Sequence, residues 1–134
     1  MTQAADLIAD TFPFDGERIS TGNADFFIDS PVRGWFVGSF LECAAGLRKT
    51  RKVEVKWSSH SSGDRRVQLS PGSGSTSLAI LVSGKFSFEF PGEEPDKIVL
   101  TRQGDYVVYG PSVAHNWEAL EDSVVITVRW PSDL

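Results

Sequence analysis

The stretch Gly104-Asp-Tyr-Val-Val-Tyr-Gly-Pro-Ser-Val-Ala-His115-Asn-Trp117 holds two turns, a strand between them and the start of another strand. Gly104-Asp105 suits a tight turn, because glycine tolerates positive φ and an aspartate carboxylate accepts nearby backbone N–H groups. Tyr106 to Tyr109 is an aromatic and β-branched run, which fits a pleated, half-buried strand. Gly110-Pro111 then reverses the chain. His115 opens the next strand, and Trp117, two residues on, shares its face.

The same punctuation recurs along the chain. Strand signals fall at 26–28, 35–41, 53–59, 78–90, 97–101, 105–109, 114–118 and 123–130. Turn residues separate them: Ser30-Pro31, Ala45-Gly46, Ser62-Gly63-Asp64, Pro71-Gly72-Ser73-Gly74, Pro91-Gly92 and Gly110-Pro111. Many short strands at this spacing predict an all-β fold, closed or in two sheets. Ala4 to Asp10 suits one or two helical turns, ended at Phe12-Pro13 because proline disfavours helix in the residue before it. Gly84, inside the 78–90 run, predicts a bulge or bend. Phe86, Phe88 and Phe90 share a face and are expected in the core. Val53, Val55 and Trp57 lie on one face of their strand, Glu54 and Lys56 on the other.

A chain of 134 residues suits one domain with a single core. Its net charge of −5 disfavours adhesion to nucleic acid or to an anionic membrane. Cys43 is the only cysteine, so neither an intrachain disulfide nor a cysteine-based zinc cluster is expected. Residues 1–10 lack the basic start and long apolar core of a signal peptide, and no apolar run approaches the roughly 20 residues of a membrane helix. These features predict a cytoplasmic protein. The basic cluster Arg48-Lys49-Thr-Arg51-Lys52 lacks interleaved aromatics and is expected to be a solvated loop or edge protection. Arg65-Arg66 is a second basic pair, able to meet an anionic ligand if its loop overhangs a pocket.

Residues 104–117 resemble the second conserved motif of the cupin superfamily, in which a glycine, a proline turn and a metal-binding histidine fall at these intervals. Val53 to Trp57 with Ser62-Gly63 resembles the strand and loop leading into the family's first motif, and Leu78 to Gly84 resembles its end. Counting back from Gly84, the family's glutamate position falls near Ser77 and its two histidines near Ser70 to Ser73, where this chain has serine, proline and glycine. The resemblance covers residues 53 to 130. It implies a single-domain cupin-like β-barrel (a double-stranded β-helix or jelly roll) over 31–134, behind an N-terminal arm of residues 1–30. It also implies a degenerate metal site. Cupins often dimerise, and the aromatic segment Phe26 to Phe40 would suit a homodimer contact.

A metal commonly needs three or more imidazole or carboxylate ligands, and serine hydroxyls stay protonated at neutral pH. His115 alone cannot hold one. If the polar file of the 53–59 strand faces the barrel interior, His60, His115 and Glu54 can form an unconventional site for iron, manganese, nickel or zinc. If that file faces solvent, His60 is an ordinary surface residue. His115 is either a strand cap bonded to a backbone carbonyl or a pocket residue, since the matching family histidine points inward.

Three functions follow. The first is a metal-independent cupin binding a small organic molecule near His115, Tyr109, Trp117 and Ser77, with Trp57 a further lining candidate. The second is a metal-free isomerase, epimerase or cyclase with His115 or His60 as acid/base. The third is a metal-dependent dioxygenase using His60, His115 and Glu54. No nucleic acid or membrane partner is expected in any of them.

Overall fold

The computed structural model describes residues 8–9 and 13–132. The helical turns expected over 4–10 lie outside this range except for Ile8 and Ala9. In chain order, a short hairpin of β1 (Phe14–Asp15) and β2 (Ser20–Thr21) precedes a 3-10 turn at Ala24–Phe27. β3 (Trp35–Val37) and a 3-10 segment at Cys43–Arg48 follow. Then come β4 (Glu54–His60), β5 (Thr76–Ser83), β6 (Phe86–Glu89), β7 (Lys97–Leu100), β8 (Tyr106–Tyr109), β9 (Asn116–Ala119) and β10 (Ser123–Trp130).

A five-stranded sheet in the order β3-β4-β10-β5-β8 faces a three-stranded sheet in the order β7-β6-β9, and every pairing is antiparallel. Residues 61–75 run beside β9 as an irregular edge, held by isolated bridges at Arg65↔Glu118 and Ser70↔His115. The architecture is the all-β, cupin-like sandwich or barrel that the turn spacing and the family resemblance predict.

Ala79, Leu81, Val125, Phe86, Phe88, Phe90, Leu100 and Ala119 make the buried core. The alternating face of Phe86, Phe88 and Phe90 therefore points inward, as its period requires. The opening motif folds as read. Asp105 Oδ2 accepts from the backbone N–H of Thr101 and Arg102 at 3.0 and 2.9 Å, and Gly104 has φ of +91°.

Three strand expectations change. Residues 26–28 form no strand, because the Asn23 side chain accepts from Asp25 N–H at 2.9 Å and caps a 3-10 turn instead. The 35–41 run stops at Val37, and the Lys49 ammonium donates to the Ser39 and Leu41 carbonyls at 2.8 and 2.6 Å. The 78–90 run is two strands, since the chain crosses between the sheets at Gly84, where φ is +95°. A Cβ there would strike the Asp122 carbonyl oxygen. Gly84→Ala is expected to lower unfolding free energy by about 1–3 kcal/mol, measured by urea denaturation. An unchanged midpoint would show that the crossing is not strained.

The N-terminal segment lies against the outer face of β3 and β4. Arg48 reaches Asp15 with both Nε and Nη2 at 2.9 Å, and its Nη1 donates to the Phe36 carbonyl. The guanidinium beside Asp15 holds that carboxyl down to about 2. Phe27 stacks on Phe36 at 6.0 Å, so part of the Phe26–Phe40 aromatic segment is satisfied within the chain. Among the described residues no helix is long and apolar enough to cross a membrane.

Candidate functional site

β4 turns its polar file inward. Glu54 and Ser58 are buried and Lys56 faces a cavity, while Trp57 points outward and donates from Nε1 to Asp25 Oδ1 at 2.6 Å. An apolar file on the outside is stable here because the N-terminal segment covers it. Beyond the phenylalanine core, the two sheets leave a cavity of about 440 Å³. Lys56, Arg129, Ser77 and Tyr109 reach it from the large sheet, and Trp35 joins them from β3. His115 and Trp117 reach it from the β9 side, with Ser70, Ser73 and Arg66 on the 61–75 edge and Arg33 before β3.

His115 is 7% exposed and fixed from two sides. Its backbone exchanges hydrogen bonds with Ser70 at 2.7 and 3.0 Å. Nδ1 lies 3.0 Å from the Val113 carbonyl, which only accepts, so Nδ1 carries the proton. Nε2 is then the bare nitrogen of the neutral ring, 3.5 Å from the Tyr109 hydroxyl. Burial pushes the His115 pKa down; the Val113 bond opposes this, and Arg129 and Arg66 add to it. Burial raises the Tyr109 phenol, against the pull of Arg129 and Ser77.

His60 does face the interior, but it packs among aromatic rings, 4.5 Å from Trp117 and 5.4 Å from Phe86, and does not line the cavity. Its pKa is lowered by burial and by Lys56, with Asp64 pulling the other way. Both histidines thus have folded-state values below the ordinary 6.5. Protonation then favours the unfolded chain, so their contribution to stability is complete above pH 6.5 and is lost as pH falls towards the folded values. The thermal midpoint is expected to drop between about pH 7 and about pH 5, and His60→Gln/His115→Gln to flatten that slope. An equally steep slope in the double variant would assign the acid sensitivity elsewhere.

Ser77, Tyr109, His115 and Trp117 share the cavity. Trp57 does not reach it, which corrects its place among the lining candidates; the N-terminal segment needed that ring as a partner. Glu54 sits beneath the cavity, with Oε1 3.5 Å from Arg129 Nη1 and Oε2 accepting from the Ser132 hydroxyl at 2.9 Å. The sequence reading missed Lys56, Arg129, Trp35 and Arg33. Arg129 had a signal: it is the lone charge in the β-branched run of β10, in file with inward Val125.

The residues gathered here do not fit a resident metal. Among the described residues no three of His, Cys, Asp or Glu stand close enough to hold an ion. Glu54, His60 and His115 are therefore not assembled as a ligand set, and both Glu54 oxygens are engaged. Four cationic side chains lining the cavity would also repel a divalent cation.

No family model and no curated protein matches the chain. Solved structures do. The structure of KdgF from Halomonas sp. aligns at TM-score 0.53 and 26% identity, covering 61% of this chain and 72% of that one. An RmlC-like cupin from Shewanella frigidimarina NCIMB 400 aligns at TM-score 0.53 and 18% identity, covering 62% and 69%. A cupin superfamily protein from Desulfitobacterium hafniense DCB-2 aligns at TM-score 0.53 and 15% identity, covering 61% and 70%. With the two facing sheets and the Gly104–Trp117 motif in place, these likenesses show that the chain has the cupin fold.

Proposed function

We propose that this protein binds a small organic molecule in the cavity between its sheets, without a resident metal. One observation carries the reading: a cavity of about 440 Å³, within the range of small-molecule sites, is lined by serine hydroxyls, Tyr109, His115 and Trp117. Aromatic faces supply contact area there, and the hydroxyls and the imidazole supply directional bonds. A thermal-shift screen of charged and uncharged metabolite-sized compounds tests it. Compounds that raise the midpoint are expected to lose that effect in Trp117→Ala, and in the milder Tyr109→Phe and His115→Asn. A screen without hits, or hits that all three variants still bind, would sink the reading.

Metal-free acid/base catalysis is a second reading, favoured by the bare His115 Nε2 standing beside the Tyr109 hydroxyl. Under it, bound compounds turn over when followed by proton NMR, and His115→Asn abolishes turnover while the compound still binds. Bound compounds that never change would exclude it.

A further inference from the structure

The chain as a whole carries a net charge of −5, yet its cavity is strongly positive. Arg33, Lys56, Arg66 and Arg129 all line it, and among the described residues no aspartate or glutamate does. Like charges converging in a half-desolvated cleft repel one another more strongly than they do in water. That repulsion shows at Lys56, whose ammonium is pushed below its ordinary pKa by burial first and then by Arg129, Arg33 and Arg66.

Little inside the protein neutralises the cluster. Among the described residues Glu54 pairs with Arg129, while the other two ion pairs, Arg48–Asp15 and Lys97–Glu89, involve none of the four. Arg129 Nε is buried and has no hydrogen-bond partner among the described residues. The Trp35 ring lies 4.7 Å from the Arg129 guanidinium carbon and 5.6 Å from Lys56 Nζ. Such cation–π contacts orient the two cations and leave their charge in place. Arg33 is held at φ of +52°, a backbone region that non-glycine residues seldom occupy. A fold selected for stability alone would pair or disperse these groups.

We propose that the cavity selects a small organic oxyanion, a carboxylate or a phosphate, held by Arg129, Lys56 and Arg66 with Arg33 beside them. This deepens the ligand-binding reading above and rests on it. Nη1 of Arg129 is committed to Glu54, which leaves the other end of the guanidinium fork to donate to an anionic oxygen in the cavity. Lys56 and Arg66 add charge that a neutral ligand would leave uncompensated. Ser70 and Ser73 each accept a backbone N–H through Oγ, which leaves their O–H groups to donate to the rest of the ligand.

Isothermal titration calorimetry on the full chain, with matched charged and neutral probes, tests the proposal. Malate is compared with malamide, glycerol 3-phosphate with glycerol, and inorganic phosphate is titrated alone. The two pairs distinguish carboxylate from phosphate. At least one anion is expected to bind about tenfold or more tighter than its neutral counterpart, and to weaken as salt is raised. Lys56→Met is expected to weaken that anion about tenfold while raising the thermal midpoint of the ligand-free protein, because it removes a repelled cation. A purely structural lysine would not move both quantities in opposite directions. Lys97→Met, outside the cavity, is expected to change neither.

Equal binding of charged and neutral partners overturns the proposal, as does unaltered affinity in Lys56→Met. So does the absence of binding by every anion up to about 10 mM. If uncharged compounds from the thermal-shift screen then bind and lose binding in Trp117→Ala, the ligand-binding function stands and only the anion selectivity fails. If neither class binds, both fail.

Discussion

Phe88→Ala is expected to lower the unfolding free energy by about 3–5 kcal/mol, the range for deleting a ring from a close-packed core. Phe88 is 4% exposed, and its ring centroid lies 5.3 Å from Phe86, 6.0 Å from Phe90 and 6.2 Å from Tyr109. It sits opposite Ile98 and Trp117 in the register of the small sheet. The rings around it belong to both sheets, so the void cannot close without moving one sheet against the other. Urea denaturation followed by tryptophan fluorescence measures the change. Val67→Ala, at a residue 81% exposed, is the control and is expected to shift stability by less than about 0.5 kcal/mol. A loss at Phe88 no larger than the control's would show that this cluster does not hold the two sheets together.

Glu54 carries the second large effect. It is 5% exposed, accepts a hydrogen bond from Ser132 and pairs with Arg129. Glu54→Ala removes one partner of this pair and strands Arg129 beside Lys56. Breaking a buried pair in this way costs about 3–5 kcal/mol; Arg129 is partly solvated, so a loss of about 3 kcal/mol is expected here. Glu54→Gln keeps the shape and one acceptor and is expected to lose less. Its oxyanion affinity is expected to rise several-fold, because the negative charge beside the Arg129 guanidinium is lost. Chemical denaturation and calorimetry on both variants separate the two effects. Weaker anion binding in Glu54→Gln would mean that the carboxylate serves chiefly to aim the Arg129 guanidinium.

Both effects bear on how much of the molecule could be read from local chemistry. The Gly104-Asp105 and Gly110-Pro111 turns, the Tyr106–Tyr109 strand and the inward face of Phe86, Phe88 and Phe90 were legible, because turn geometry and strand period act over a few residues. Ser77, Tyr109, His115 and Trp117 were legible as a group through the family motif. The Phe26–Ile28 and Ser39–Leu41 segments were not, since single long-range or capping side chains, Lys49 and Asn23, redirected a backbone whose composition suited a strand. Trp57 was misplaced for a related reason. An apolar strand face normally turns inward, and here the N-terminal segment covers it from outside.

The charge in the cavity was the least legible feature. Lys56 and Arg129 come from strands far apart in sequence, brought together only because β10 pairs with β4. Arg33 and Arg66 come from two loops on different elements. Each residue alone reads as ordinary solvation. By itself, then, the sequence determined the all-β class and the positions of most turns, because those follow from φ/ψ preferences and a period of two, and it placed the histidine motif through the family resemblance. That period is symmetric between the faces of a strand, so it could not say which file of β4 points inward. Tertiary packing broke the symmetry: with Trp57 covered from outside, Glu54, Lys56 and His60 had to face the interior, and antiparallel pairing with β10 set Arg129 across from Glu54.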